Sequence, residues 1–538
     1  MVSPQNPVQI YDTTLRDGCQ REGLALSLED KVRIAQHLDR LGIPFIEGGW
    51  PGANPKDEQF FLHLREYPLQ QAKIVAFCST RRPHSAVETD ALLQASLRAQ
   101  THWITLFGKS WDLHVTLGLG TTLTENCAMI RESLAYLKSQ NRRVIYDAEH
   151  WFDGYQQNPE YALKTLEAAI QGGAEYLVLC DTNGGTLPQG IMTSLQDIQR
   201  AFPDLKIPLG IHTHNDSGMA VANAVMAVQA GATMVQGTIN GYGERCGNAN
   251  LCTLIPTLQL KLNQPCLAPE KLQQLTSTSR LISEIVNLAP DDHAPYVGRS
   301  AFAHKGGIHV SAVQKNALTY EHIDPQTVGN ERRIVVSEQA GLSNILAKAK
   351  SFGIALEKTD LASRTILQKL KDLEHEGYQF EAAEASFQLL IRSALGHRQE
   401  FFKLRGFHVN CDVGETQSTA IATIKLEVNG KNLLEAAEGN GPVSALDQAL
   451  RKVLTKFYPE IAEFQLTDYK VRILDGAAGT GAKTRVLVES SDGLERWTTV
   501  GVSANILEAS YRAVVEGIEY GLLRRSPYPS VPLPVATL

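Results

Sequence analysis

From residue 8 to about residue 262, short runs of β-branched and aromatic residues alternate with stretches whose apolar positions recur at helical spacing. The unit repeats roughly every 30 residues, the pattern of successive strand and helix pairs. Strands are expected at 8–15, 45–50, 73–78, 103–107, 144–148, 176–180, 209–214 and 234–239, each leading into a helix. The helix over 28–41 has its own start signal in Ser27 with Asp30 three residues on, and the one over 159–171 starts at Asn158 before Pro159. Further helices should follow Pro55, Pro188 and Asp216. Eight such units predict an α/β chain whose first part is a (β/α)8 TIM barrel. An open doubly wound sheet fits less well, because no Gly-x-Gly-x-x-Gly opens the first helix.

The pattern changes beyond residue 265. Up to residue 396 it is mostly helical, with main helices expected at 272–288, 338–351 and 361–376 around a Gly/Pro/His-rich connector, 290–329. From residue 400 to 525 a two-fold repeat appears. Strands at 401–412 and 418–428, a turn at Asn429-Gly430 and a helix at 444–457 are echoed by strands at 464–475 and 484–490, a turn at Asp492-Gly493 and a helix at 503–523. Asn-Gly and Asp-Gly suit tight hairpins, so each half reads as a βββα unit. The expected domains are a TIM barrel (1–268), helical linker subdomains (269–396) and a C-terminal α+β domain (397–528).

Composition narrows the partners. The 538 residues, 43% hydrophobic and 20% charged, are those of a folded soluble protein of two or three domains. A net charge of −7 argues against nucleic acid or an anionic membrane as partner. The N-terminus lacks the cationic start and apolar core of a signal peptide, and no run of about 18 apolar residues occurs, so a cytoplasmic protein is expected. The 8 cysteines are scattered without a Cys-x-x-Cys, so any metal site should use nitrogen and oxygen ligands.

Barrels place their chemistry at the C-terminal ends of the strands. There the sequence supplies Arg16, Asp17 and Gln20 after the first strand, Glu47 in the second, Asp147 and Glu149 in the fifth, Asp181-Thr182-Asn183 after the sixth, and His212 and His214 in the seventh. On a strand, His212 and His214 face the same side about 6.6 Å apart and can close on one ion at about 2.1 Å. Alone, such a pair equally suits one packed histidine beside a loop donor. Asp17 can add a carboxylate and Asn248, in a glycine-rich loop, a carbonyl oxygen. One carboxylate against a divalent ion leaves positive charge, which suits an anionic chelating substrate such as a 2-oxo acid.

Three motifs then carry a resemblance. Asp12-Thr13-Thr14-Leu15-Arg16-Asp17-Gly18-Cys19-Gln20, His212-Thr213-His214-Asn215-Asp216 and Gly243-Glu244-Arg245-Cys246-Gly247-Asn248 resemble the signatures of the metal-dependent acyltransferases that include isopropylmalate, homocitrate and citramalate synthases. The resemblance implies a TIM barrel with a C-terminal regulatory domain, a homodimer, and condensation of acetyl-CoA with a 2-oxo acid. It implies Asp17, His212, His214 and Asn248 as ligands of a divalent ion (zinc, manganese or magnesium), Arg16 beside the ketone oxygen and Thr182 on the substrate carboxylate. Glu149 and His309 are implied as proton carriers, with Tyr320 assisting the histidine. His309 ends the run His304-Lys305-Gly306-Gly307-Ile308-His309 and so must reach a barrel mouth, its own or a partner's.

Within the family, the runs from Ile46 to Asp57, Phe107 to Asp112, Asp147 to Gly154 and Asp181 to Gly185 resemble long-type citramalate synthases, which implies pyruvate as acceptor and isoleucine as feedback effector. Trp50 or Phe107 in the pocket would exclude a branched oxo acid. The alternatives are isopropylmalate synthesis, a metal-dependent aldolase or lyase, and a non-catalytic amino-acid sensor. Simpler roles are open for several residues: an Arg16–Asp17 surface pair, Glu47 as a brace for Arg16 or Gln20, Glu244 paired with Arg245, and His304 as a loop residue. The glycine-rich loops 439–442 and 475–481 are either flexible connections or effector contacts.

Overall fold

The computed structural model describes residues 7–413 and 418–525. The expected N-terminal residues 1–6 and the end of the last domain, 526–528, lie outside them. Eight strands hydrogen-bond in chain order into a closed parallel barrel, with β8 returning to β1. They are β1 (Gln9–Asp12), β2 (Phe45–Gly49), β3 (Lys73–Ser79), β4 (Trp103–Lys109), β5 (Arg143–Glu149), β6 (Tyr176–Asp181), β7 (Leu209–Thr213) and β8 (Met234–Gly237). The TIM barrel read from the hydrophobic pattern is the fold that forms.

Local chemistry sets the boundaries. The β1 strand stops at Asp12, short of the expected residue 15, because the Asp12 carboxylate accepts from the Thr14 N–H and hydroxyl and turns the chain. The first helix, Leu28–Leu41, opens on a full capping box between Ser27 and Asp30 and closes on Gly42 in the left-handed region. Asn158 caps the Pro159–Gly172 helix by accepting from Tyr161 N–H. A short helix that the periodicity does not announce, Trp151–Gln157, follows β5 after His150 takes a left-handed φ of 54°.

Because strand side chains alternate, the barrel interior is layered. Its lower layer is apolar and aromatic, with Phe45, Trp103, Ile145, Val178 and Met234 packed together. The layer above is polar. Tyr11 donates to Glu47 Oε2 at 2.6 Å and meets the Thr105 hydroxyl at 2.7 Å, and Gln236 donates to Asp147 Oδ1 at 3.0 Å. The sequence thus fills the closed floor with rings and reserves hydrogen-bonding groups for the end where β7 carries His212 and runs out into His214.

The chain forms two compact units. One runs through Phe302 and includes Ile323–Glu331; the other comprises Ala303–His322 and the chain from Arg332 onward. The first contains the barrel and the Leu275–Ile285 helix, shorter than the expected 272–288. In the second, the helices Leu342–Ser351, Leu361–Glu376 and Glu384–Ala394 share a core with Val500 and Val502. Two three-stranded antiparallel sheets follow, each ending in a helix: Lys403–Val413, Ser418–Val428, Lys431–Gly439 and Pro442–Leu454, then Gln465–Ile473, Thr484–Ser491, Arg496–Ser503 and Ile506–Arg525. The βββα repeat is therefore present.

The two hairpins differ. Asn429 and Gly430, with φ of 51° and 77°, form a two-residue turn that pairs Val428 with Lys431. The expected tight turn at Asp492-Gly493 is instead a four-residue loop, since Ser491 pairs with Arg496. The Asp492 carboxylate causes this by accepting from Leu494 N–H at 3.1 Å and Glu495 N–H at 2.9 Å. No helix among the described residues is long and apolar enough to cross a membrane.

Candidate metal centre and active site

The turn after β1 and the end of β7 bring three donor side chains together at the C-terminal mouth of the barrel. His212 and His214 Nε2 lie 3.3 Å apart, and Asp17 Oδ2 lies 3.3 Å from the first and 3.8 Å from the second. Ligand atoms about 2.1 Å from one ion stand roughly 3.0 to 3.4 Å from one another, so this triangle has the size of a metal face. All three residues are buried, and the second Asp17 oxygen, Oδ1, has no hydrogen-bond partner. A buried carboxylate oxygen without a partner is costly unless a cation or another donor meets it. The residues fit an ion.

Asn248 joins the group through the backbone, where it bridges His214. Its Nδ2 donates to Tyr242 O at 3.2 Å, which leaves the buried Oδ1 unpartnered. Glycine makes this loop possible. Gly243 and Gly247 have φ of 153° and 88°, and a Cβ would fall 2.1 Å from Asn248 Nδ2 in the first case and 2.0 Å from Gly241 O in the second.

The neighbours fix these side chains. His212 Nδ1 donates to Gln236 Oε1 at 2.8 Å while the Gln236 amide nitrogen donates to Asp147, so the Nε2 of a neutral His212 carries a lone pair toward the cluster. Burial opposes the Asp17 charge, but Arg16 and His212 hold its carboxyl well below the usual range. Burial also opposes protonation of His212, yet Asp17 raises that imidazole above its ordinary value. At His214, burial and then His212 push the imidazole down to about 4. Burial, followed by Glu47, lifts Asp147 to about 7.

Arg16 is held in place rather than solvated. Its Nε donates to Glu47 Oε1 at 2.5 Å, its guanidinium stacks 3.8 Å from the centre of the Phe77 ring, and Nη2 lies 3.6 Å from Asp17. The surface ion pair considered for Arg16 and Asp17 is thus replaced by a buried array, in which Glu47 braces Arg16. Phe77 stacks on Phe107 at 5.0 Å, and Trp50 meets both rings edge-on at 5.7 and 5.4 Å.

Glu149 ends β5 in an ion pair with Lys109, its register neighbour at the end of β4. The next residue, His150, donates its N–H to Thr182 Oγ1 at 2.9 Å, which ties Thr182 to the Glu149 strand end. Arg245 pairs with Glu244 as expected, Nη1 to Oε2 at 3.5 Å, but it has closer partners as well. It binds Asp216 through Nε at 2.8 Å and Nη2 at 3.0 Å and the Thr182 carbonyl at 2.6 Å. Asp216 meets the guanidinium with both carboxylate oxygens, whereas Glu244 meets it with one.

His309 and Tyr320 lie in the second compact unit, their rings 4.3 Å apart. His304, left open as a loop residue, is buried and bonded to Glu321 at 2.9 Å. Gln236 and Lys109 are the participants that sequence reasoning missed. The one available signal for Gln236 was a fully buried amide inside the short apolar run of β8.

A closed parallel barrel with this Asp-His-His group at its mouth belongs to the HMGL-like class, and residues 7–282 match the HMGL-like family model. Residues 296–377 match the homocitrate synthase post-HMGL domain-like model, and 381–522 the LeuA allosteric (dimerisation) domain. The chain is 71% identical over 532 residues to an (R)-citramalate synthase of Synechocystis sp., a match that covers 97% of each chain. It is 53% identical over 519 residues to that of Aquifex aeolicus (96% and 98% covered) and 51% over 517 residues to that of Geobacter sulfurreducens (96% and 97%). The chain belongs to the (R)-citramalate synthase family of HMGL-like acyltransferases.

Proposed function

We propose that this chain condenses acetyl-CoA with pyruvate and hydrolyses the product to citramalate and CoA. The observation that carries the reading is the convergence of buried Asp17, His212 and His214 beside a guanidinium pinned by Glu47. Asp17, His212 and His214, with the Asn248 carbonyl oxygen, would hold a divalent ion (zinc, manganese or magnesium) whose chemistry is Lewis-acid polarisation of the ketone.

The chain's own residues do the rest. Thr182 Oγ1 accepts from His150 N–H, which leaves its hydroxyl hydrogen for the substrate carboxylate. A proton passes from the acetyl methyl to Glu149 or His309, the methyl carbon bonds to the ketone carbon, and the former ketone oxygen gains negative charge. Arg16 sits beside that oxygen, a contribution of about 3 to 4 kcal/mol in comparable oxyanion sites. A proton returned by the His309–Tyr320 pair neutralises it, and water then cleaves the thioester, taking the place of the CoA thiol. The Phe77 ring against Arg16, with Trp50 and Phe107 packed on it, puts an aromatic wall beside the guanidinium, which supports pyruvate over branched acids.

The reading extends to a cytoplasmic homodimer in isoleucine synthesis by the threonine-independent route, with isoleucine as the feedback effector of the C-terminal domain. The test is CoA release with pyruvate, with 2-oxoisovalerate or with neither, with and without chelator. Pyruvate should be the best acceptor, and chelator or Asp17→Ala should cut turnover more than about a hundredfold while the protein stays folded. Faster turnover with 2-oxoisovalerate would favour isopropylmalate synthesis, and chelator-resistant turnover would remove the ion.

A further inference from the structure

Beside the exposed His309–Tyr320 pair lies a charge cluster centred on the buried Glu321, to which the reaction outlined above gives no part. Glu321 is only 4% exposed, whereas Tyr320 is 48% exposed, so these neighbouring side chains point in opposite directions. Arg332 grips the Glu321 carboxylate with both arms, Nε to Oε1 at 2.5 Å and Nη2 to Oε2 at 2.6 Å, and His304 Nε2 reaches Oε1 at 2.9 Å. His304 lies in the short strand Ala303–His304, and Arg332 directly precedes its parallel partner, Arg333–Ile334. Burial opposes the Glu321 charge, but Arg332 and His304 outweigh it and hold the carboxyl below its ordinary range.

The exposed pair needs such an anchor. Tyr320 ends the Ala317–Thr319 turn, and His309 stands in the first turns of the Gly307–Lys315 helix. Both side chains are exposed, so surrounding core does not lock their rotamers, and an unanchored pair would lose its ring contact to side-chain entropy. What can fix the Tyr320 direction is the backbone that carries it, and that backbone is tied down one residue later through Glu321.

We propose that Glu321, clamped by His304 and Arg332, is a positioning residue that holds the Tyr320 ring against His309 and thereby sets how the imidazole is presented. The inference rests on the proposed catalytic part of His309 and Tyr320. A carboxylate that served only to stitch the short sheet would affect stability and leave the ring pair unchanged.

The experiment uses the full chain labelled with 13Cε1-histidine, in the variants Glu321→Gln, Glu321→Asp, Arg332→Gln, Tyr320→Leu and His309→Ala. The last assigns the His309 resonance by its disappearance. Glu321→Gln and Arg332→Gln should each lower kcat about tenfold or more, with KM for acetyl-CoA and pyruvate changed less than about twofold. In both, the His309 Hε1 signal should move toward its Tyr320→Leu position, and Glu321→Asp should recover part of both effects. Unchanged kcat and an unmoved His309 signal in folded Glu321→Gln would overturn the clamp. Should that variant not fold, the same outcome in Arg332→Gln overturns it. A fully active His309→Ala would instead refute the catalytic reading of the pair, and the resonance shift would still decide the clamp.

Discussion

The barrel and the C-terminal repeat use the same alternation of residues for opposite ends. In the Ser418–Val428 strand, Ala420, Ala422, Ile424, Leu426 and Val428 are buried against a helix carrying Ala445, Ala449, Leu450 and Val453, while Ile421 between them is 45% exposed. One face makes the core and the other is left to solvent in the single chain. In the barrel both faces are buried, so the inward residues Glu47, Asp147, His212 and Gln236 are polar groups enclosed by protein. Enclosure makes each of them depend on a named partner. The lesson is that polarity on an open sheet costs little and says little, whereas polarity inside a closed one has to be matched atom by atom.

The sharpest way to break the comparison is to unmatch one enclosed atom. Gln236→Leu removes the acceptor of the His212 Nδ1 proton, and metal affinity measured by equilibrium dialysis should fall about 10- to 100-fold while the barrel stays folded. Unchanged affinity would make Gln236 ordinary filling.

The next test uses protons. Asp147, in the barrel, and Glu516, in the second unit, are both lifted to about 7, each chiefly by burial. A carboxyl whose folded value is raised binds more protons folded than unfolded, so its contribution is present below about 4 and is lost as pH rises through about 7. His214 works the other way. Its folded value of about 4 lies below the ordinary imidazole, so its contribution is present above about 6.5 and lost as pH falls through 4. Thermal unfolding of metal-free protein between pH 5 and 8 should therefore show a decline toward pH 8 that is shallower in Asp147→Asn and, separately, in Glu516→Gln. A slope unchanged by either substitution assigns the titration elsewhere.

The smallest effect lies on the open side. Gly430→Ala puts a Cβ at φ 77° in the two-residue hairpin and should cost about 1 kcal/mol in denaturant unfolding, with catalysis unaffected.

Much of this was legible in the sequence because it is local or periodic. Ser27 and Asp30 announce a helix start, the strand and helix repeat announces the barrel, and the spacing of two places His212 and His214 on one face. What stayed hidden depends on register and long-range pairing. Gln236 meets His212 because β7 and β8 are aligned with those two residues side by side, a fact no single strand contains. Arg245 holds Asp216, 29 residues away, as well as its neighbour Glu244. The second hairpin opened to four residues because a carboxylate two residues back captured the loop. The part of His304 stayed open because its partner Glu321 lies 17 residues along the chain.

The aromatic floor of the barrel has one more consequence. Phe45, Trp103 and Met234 stopper the interior, so the charged groups above them sit in a well that opens at one end. Field lines in such a low-dielectric shaft leave mainly through the mouth. Near the mouth the Asp17 and Glu47 carboxylates face the guanidiniums of Arg16 and Arg245, so a passing solute meets these opposed charges through that one opening. A divalent ion held by Asp17, His212 and His214 would tip that balance toward attraction of an anion. Closing the floor thereby makes the mouth the side on which any change of charge inside the well is felt.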